Sequence, residues 1–143
     1  MNTIRTRIIV VVLSFLLPVI VSAETILEQL DAANNAFTKA LVAGDIDYLV
    51  NDYTEDACII APKAPLTCGK DAIRTFWVSI IGTKPKNVVL ITHNAEKDGN
   101  LSYATGELII TDAESLVHKS HFVLVYKLVD GSWKLHVDSW TPQ

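Results

Sequence analysis

The residues best suited to acid–base chemistry lie near the end of the chain. His136 and Asp138 are two positions apart in the run SWKLHVDSW, and His121 lies in the preceding run VHKSHFVLVYKLV. Residues two apart on a β-strand share a face, so the aspartate can fix the tautomer of an imidazole for general acid–base work. We therefore predict His136, Asp138 and His121 as a catalytic set. The alternative is a structural polar network that also includes Lys127 and Lys134, because buried polar groups are normally hydrogen-bonded.

A predicted hairpin positions these three residues. Asp130-Gly131 separates two β-rich runs, and both residues tolerate the positive φ of a tight turn. A two-residue loop pairs Val123 with Asp138. The predicted site face then carries His121, Val123, Val125, Lys134, His136, Asp138 and Trp140. The opposite face is almost wholly apolar and carries Phe122, Leu124, Tyr126, Leu128, Trp133, Leu135 and Val137. A three-residue loop would break this grouping, because a one-residue slip reverses the faces of a strand.

Several aromatic side chains are candidates to line an apolar ligand cavity. They are Phe37, Tyr53, Trp77, Tyr103 and Trp140. The alternative is a hydrophobic core, in which aromatic residues at helical or strand spacing are found more often. His118 and His121 resemble a metal-binding pair, but residues three apart on a strand point to opposite faces. Because the sequence also lacks zinc-type cysteine and histidine spacing, we predict no metal and no cofactor.

The order of elements predicts an α+β fold. Thr25-Ile26-Leu27-Glu28 is a capping-box pattern, and the helical spacing that follows runs to Leu41 before Gly44. A short second helix and a third helix over 70–81 come next. Strands are predicted over 57–61, 66–68, 87–97, 101–111, 117–129 and 132–140. Helices followed by a meander indicate three helices that cover one face of a curved antiparallel sheet.

The first 23 residues have the pattern of an export signal. Arg5 and Arg7 precede the apolar run Ile8–Ile20, and the small residues of Val21-Ser22-Ala23 follow. We predict cleavage after Ala23, which leaves one domain over 24–143 in the periplasm or secreted; the alternative is an uncleaved membrane anchor. Loss of two arginines changes the formal net charge from −4 to −6. Since no basic cluster is present, nucleic acid and, after cleavage, the membrane are not expected partners.

Two cysteines remain after cleavage, and the predicted compartment favours a disulfide between them. Cys58 and Cys68 flank the run IIAPKAPLT. A hairpin that turns on Pro62-Lys63-Ala64-Pro65 would bring the two cysteines together. The alternative is two free, buried thiols.

Three segments carry a resemblance to a known family. LVAGDIDYLVNDYTEDACIIAP, GKDAIRTFW and YKLVDGSWKLHVDSW resemble the nuclear transport factor 2-like superfamily, in its SnoaL-like and ketosteroid-isomerase-like branch. The resemblance spans essentially the whole of residues 24–143 and implies a cone-shaped α+β barrel, the cystatin-like roll. It also implies a pocket under the helices and a homodimer that buries the far face of the sheet. The family includes isomerases, cyclases, dehydratases and members without known activity, so the fold does not define the function.

The residues that the isomerases of this family use are absent at the matching positions. Their tyrosine matches Phe37, their aspartate base matches Ala61, and their second acid falls near Val123. We therefore expect no steroid isomerase activity. By analogy, the face with His136 and Asp138 looks into the pocket, and the apolar face meets a second subunit.

Two functions follow from the sequence. The first, which we prefer, is an exported protein that binds a small apolar molecule. The second is a small lyase, isomerase or cyclase that uses His136 and Asp138 for acid–base chemistry.

Overall fold

The structure, a computed structural model, describes residues 24–143. The predicted export signal therefore lies outside the described residues. The helices are α1 (Ile26–Ala43), α2 (Ile46–Asn51) and α3 (Lys70–Gly82). The strands are β1 (Tyr53–Ile60), β2 (Thr67–Cys68), β3 (Asn87–Asp98), β4 (Leu101–Thr111), β5 (Val117–Val129) and β6 (Ser132–Pro142).

The six strands form one sheet in the order β2-β1-β6-β5-β4-β3. The neighbours pair antiparallel, except that β1 and β6 run parallel. The predicted α+β fold is confirmed, with three helices on a curved sheet that stays open at β2 and β3. One predicted boundary is wrong: β1, predicted over 57–61, begins at Tyr53 and includes Thr54-Glu55-Asp56. β1 starts directly after α2 because it pairs with β6, where the Leu135 N–H donates to the Asp52 carbonyl at 2.8 Å.

Helix α1 forms for the local reasons that the sequence indicates. The Thr25 side chain accepts a hydrogen bond from the Glu28 N–H at 3.3 Å, and the Glu28 carboxylate accepts one from the Thr25 N–H at 2.8 Å. This capping box satisfies two N–H groups that the helix leaves free. Gly44 ends the helix with φ of 76°. The buried face of α1, which includes Leu30, Phe37 and Leu41, packs on the sheet.

The hairpin of β5 and β6 turns as predicted but pairs differently. Asp130 and Gly131 have φ of 48° and 78°, and the register of a two-residue loop holds as far as Tyr126 and Leu135. A β-bulge at His136 then adds one residue to β6, so that Asp138 pairs with Leu124 and not with Val123. Every predicted pair beyond the bulge is therefore wrong by one residue.

The observed faces of β5 and β6 differ from the predicted faces. Phe122, Leu124, Tyr126 and Leu135, expected to meet a second subunit, are buried under the helices. The bulge turns Asp138 and Trp140 to this same inner face, opposite to the side that a regular strand would give them. The outer face keeps His121, Val123 and Val125, which alternate with the buried residues of β5. The predicted site face and dimer face are thus exchanged along β5.

The predicted disulfide joins Cys58 of β1 to Cys68 of β2. The two residues are register partners in the short β1–β2 hairpin. Within residues 24–143, no helix is both long and apolar enough to span a membrane.

Candidate functional site

A cavity of about 210 Å³ lies between the helices and the inner face of the sheet. Its walls are mainly apolar and comprise Phe37, Leu41, Trp77, Ile80, Pro85, Val88, Leu90, Leu108, Ile110, Phe122, Leu124, Leu135 and Trp140. Four polar residues also line it: Asn34, Thr38, Thr83 and Asp138. Small-molecule sites are typically concave and apolar with a few placed polar groups, so this cavity is the candidate site.

Asp138 is the one charged residue that lines the cavity in the described part of the chain. Only 5% of its surface is exposed. The Tyr53 hydroxyl donates a hydrogen bond to Asp138 Oδ2, and Trp77 Nε1–H donates to the Tyr53 oxygen at 3.2 Å. Burial raises the pKa of Asp138 to about 6, and the hydrogen bond from Tyr53 opposes that rise. The carboxyl group therefore changes its protonation state close to neutral pH.

Aromatic rings pack around Tyr53, the hydrogen-bond partner of this carboxyl. Phe37 meets Trp77 edge to face, with ring centroids 5.3 Å apart, and meets Tyr53 at 6.0 Å. The indoles of Trp77 and Trp140 lie 6.5 Å apart with an interplanar angle of 25°. Such contacts restrict the rings, so the geometry around Asp138 is pre-organised by packing.

A second polar cluster forms part of the wall on α1. The Tyr126 hydroxyl donates to Asn34 Oδ1 at 2.6 Å, and Asn34 Nδ2 donates to Thr92 Oγ1 at 3.1 Å. Our sequence reasoning missed Asn34. The signal for it was present, because Asn34 falls at helical spacing between Leu30 and Phe37, where an inward-facing residue belongs.

A second, partly buried carboxyl belongs to Asp52, the residue next to Tyr53 in the chain. Asp52 follows α2 as its C-terminal cap, and burial raises its pKa to about 6, opposed by the nearby charge of Lys134. Burial, and after it the charge of Asp138 with a smaller effect of Asp52, raises the pKa of Tyr53 well above its usual range. Tyr53 is thus held as a neutral hydroxyl that can donate.

The predicted catalytic set is not brought together. His136 lies in the bulge, outside the cavity lining, with Nδ1 3.0 Å from Thr54 Oγ1 and 3.4 Å from Asp56 Oδ1. His121 is exposed on the outer face, where it pairs with Thr141. The prediction that His136, Asp138 and His121 share one face is wrong, because the bulge turns Asp138 inward while His121 stays outside.

The predicted ligand-binding residues divide into three groups. Phe37, Trp77 and Trp140 line the cavity. Tyr53 is fully buried behind the lining and reaches the cavity through its hydrogen bond to Asp138. Tyr103 pairs with Val125 on the outer face, where its hydroxyl accepts a hydrogen bond from Asn94 Nδ2 at 3.4 Å; its predicted place in the pocket is wrong.

The chain belongs to the SnoaL-like domain family, whose model matches residues 30–138. The match runs from within α1 to Asp138 in β6 and includes every residue that lines the cavity except Trp140. No curated protein matches the chain.

Solved structures with the same fold are distant in sequence. A protein of unknown function from Mycobacterium tuberculosis is 13% identical, with a TM-score of 0.73 over 80% of this chain and 74% of that one. A ketosteroid isomerase-like protein from Erwinia carotovora is 18% identical, with a TM-score of 0.69 over 81% and 95% of the two chains. An NTF2-like protein with a cystatin-like fold from Novosphingobium aromaticivorans is 11% identical, with a TM-score of 0.68 over 79% of each chain. At these identities the likeness establishes the fold alone.

Proposed function

We propose that this protein binds a small, largely apolar molecule in the cavity between its helices and sheet. The observation that carries the proposal is the apolar cavity of about 210 Å³ with the buried carboxyl of Asp138 in its wall. An apolar ligand gains about 25 cal/mol for each Å² that it removes from water. The carboxyl group supplies one polar contact that orients it.

Native mass spectrometry of the purified protein tests this function directly. We expect a bound small molecule, or binding of added cyclohexylmethanol that changes the fluorescence of Trp77 and Trp140. Leu90→Trp should block binding, because Leu90 lines the cavity. Ile91→Trp is the matched control, since Ile91 is 40% exposed on the outer face of the same strand. Equal loss of binding in both variants would contradict a site in the cavity.

A second function is supported by one observation, the raised pKa of a carboxyl group that lines the cavity. A group that titrates near neutral pH is suited to general acid–base catalysis. The enzyme that we propose as the alternative is a lyase, isomerase or cyclase. In it, Asp138 transfers a proton and the Tyr53 hydroxyl holds the Asp138 carboxyl in position. Tyr53 thus replaces His136 as the predicted partner of Asp138, because the bulge leaves His136 outside the cavity lining.

Hydrogen–deuterium exchange of a ketone separates the two functions. If the protein is an enzyme of this type, it should speed the exchange of the α-protons of cyclohexanone in D₂O, measured by NMR. The rate should depend on a group that titrates near pH 6, and Asp138→Asn should abolish it. A binding protein would hold the ketone without faster exchange.

We further propose a homodimer through the outer face of the sheet. Val123 and Ile91 are 49% and 40% exposed there, and apolar surface of this kind favours association. Leu124, which the sequence placed on the dimer face, cannot belong to this interface, because it is 3% exposed under the helices. Val123→Asp should instead give a monomer in light scattering at micromolar concentration. Val78→Asp, on the exposed side of α3 where Val78 is 53% exposed, should remain dimeric; a monomeric unmodified protein would contradict the proposal.

Export to the periplasm or beyond is the compartment that we propose. The disulfide between Cys58 and Cys68 supports it, because such bonds persist in oxidising compartments. Expression in a bacterium should yield a periplasmic protein that begins at Glu24. A cytoplasmic product that retains Met1 would contradict both cleavage and export.

A further inference from the structure

The cavity carries charge of one sign only. Asp138 lines it, and among the described residues no lysine, arginine or histidine does so. The other polar residues of the wall, Asn34, Thr38 and Thr83, are uncharged. Buried carboxylates are normally paired with a cation, and the described part of the chain supplies none at this position.

The hydrogen bonds inside the cavity leave one strong acceptor with spare capacity. Asn34 is engaged by Tyr126 and Thr92. The Thr38 hydroxyl donates to the Asn35 carbonyl at 3.2 Å, and the Thr83 hydroxyl donates to the Ile80 carbonyl at 2.7 Å. For Asp138, the Tyr53 hydroxyl bonds to Oδ2, and no other residue within 24–143 donates to Oδ1. A ligand that donates a hydrogen bond therefore has its best partner in Asp138 Oδ1.

None of the groups that the described residues place around Asp138 neutralises its negative charge. Tyr53 of β1 and Tyr126 of β5 remain neutral, because burial raises the pKa of both phenols well above the usual range. Asp52 lies next to Tyr53 in the chain and adds a second carboxyl, with Lys134 beside it. The residues of α1, α3, β3 and β4 that line the cavity carry no charge. An anionic ligand is thus disfavoured at this position.

Two indoles line the same cavity as the carboxyl. Trp77 and Trp140 both line the cavity, with indole planes 25° apart and centroids separated by 6.5 Å. The face of an indole attracts a cation, and a desolvated site strengthens that attraction. A carboxylate beside two indoles is a combination that favours an ammonium group over a neutral hydroxyl.

We propose, on the basis of the binding function above, that the cavity takes a hydrophobic amine in its protonated form. The ammonium group donates to Asp138 Oδ1 and meets the indoles of Trp77 and Trp140. The hydrocarbon body fills the apolar part of the cavity. Carboxylates of the same shape are rejected.

Three probes of nearly equal shape test the proposal by isothermal titration calorimetry: cyclohexylmethylamine, cyclohexylmethanol and cyclohexanecarboxylate. At pH 7.5 we expect the amine to bind roughly tenfold tighter than the alcohol, because its hydrogen bond is charge-assisted, and the carboxylate to bind weakest. Lowering the pH to 5 should weaken amine binding roughly tenfold, since the carboxyl must first lose a proton. Binding of the alcohol should not weaken.

Two variants identify the residue responsible. Asp138→Asn should bind the amine and the alcohol with similar affinity, since it keeps the shape and removes the charge. Asp52→Asn makes the same chemical change outside the cavity lining and should preserve the preference for the amine.

Equal affinity of the wild-type protein for amine and alcohol would overturn the amine proposal and leave cavity binding intact. Tighter binding of the carboxylate would overturn it as well. If no probe binds and native mass spectrometry shows no ligand, the binding function itself fails.

Discussion

The hydroxyl of Tyr53 donates its hydrogen bond to the carboxyl group of Asp138, a residue 85 positions further along the chain. The two side chains meet because β1 runs parallel to β6, with Tyr53 paired to Leu135 and Ile59 paired to Asp138. Trp77 of α3 fixes the phenol from the other side. Two hydrogen bonds thus join a helix and two strands at the wall of the cavity.

Asp138→Asn should change how stability depends on pH. The pKa of Asp138 is 3.8 ordinarily and about 6 in the folded protein, so between these values the native state binds more protons than the unfolded state. Stability therefore falls as the pH rises from 4 to 6, by on the order of 3 kcal/mol for this one group. The variant keeps an acceptor for Tyr53 and should exceed the wild type in free energy of unfolding at pH 7, measured by urea denaturation.

Asp52→Asn is a second test of the same pH dependence. The pKa of Asp52 is also raised to about 6, so this variant should remove its own share of the same pH dependence, and the double variant should be nearly flat between pH 4 and 6. If the stability of the wild type rises between pH 4 and 6, this would contradict the raised pKa of both groups.

Tyr53→Phe should destabilise the protein and raise the pKa of Asp138 further. The change removes the donor that lowers this pKa and leaves the Trp77 N–H without its acceptor. Loss of a buried hydrogen bond costs about 1–3 kcal/mol. Tyr126→Phe is the matched control, because its buried hydroxyl bonds to Asn34 instead; it should be destabilising without raising the pKa of Asp138, as followed by NMR titration of the carboxyl carbon. An equal rise in both variants would contradict the assignment.

Loss of the disulfide should lower stability without removing the cavity. The bond between Cys58 and Cys68 closes a short loop with a sequence separation of 10, and the chain-entropy model gives about 3 kcal/mol for such a loop. The Cys58→Ser, Cys68→Ser double variant should have a lower denaturation midpoint in urea and retain binding of the probes. The wild-type protein in reductant should behave in the same way. No change in midpoint on reduction would contradict a stabilising role.

Gly106→Ala should be strongly destabilising. A Cβ atom at this position would lie 1.9 Å from the Ile91 carbonyl oxygen and 2.8 Å from Phe122 Cζ. The backbone of β3 would have to move, at a cost on the order of 3 kcal/mol, and the Phe122 wall of the cavity would move with it. Gly82→Ala is the control, because a Cβ atom there meets nothing within 4 Å. The two variants should differ in thermal midpoint, and equal midpoints would show that β3 accommodates the methyl group.

Most of the fold follows from local signals in the sequence. The capping box at Thr25 and Glu28, the helix end at Gly44 and the turn at Asp130-Gly131 each depend on residues a few positions apart. These local interactions form independently of the rest of the chain. For that reason the helices and the hairpin were predictable, while the parallel pairing of β1 with β6 depends on contacts between distant segments.

The candidate site was predictable only in part. Asp138, Phe37, Trp77 and Trp140 were identified as candidates and do lie at the cavity. The partners were wrong, because KLHVDSW reads as regular alternation and contains no glycine or proline to mark the bulge at His136. If the strand is assumed to be regular, alternation places His136 on the same face as Asp138. The same assumption leaves Tyr53 out of contact with Asp138.

The bulge sets Leu135 and Asp138, which are three residues apart, on the same inner face of β6. Deletion of the single codon for His136 would leave them two residues apart in a regular strand, so the carboxyl would still face the cavity. Deletion of the codons for both His136 and Val137 would make the two residues neighbours and would carry the carboxyl to the outer face. In this part of the gene, the loss of two codons therefore has a larger effect on the site than the loss of one.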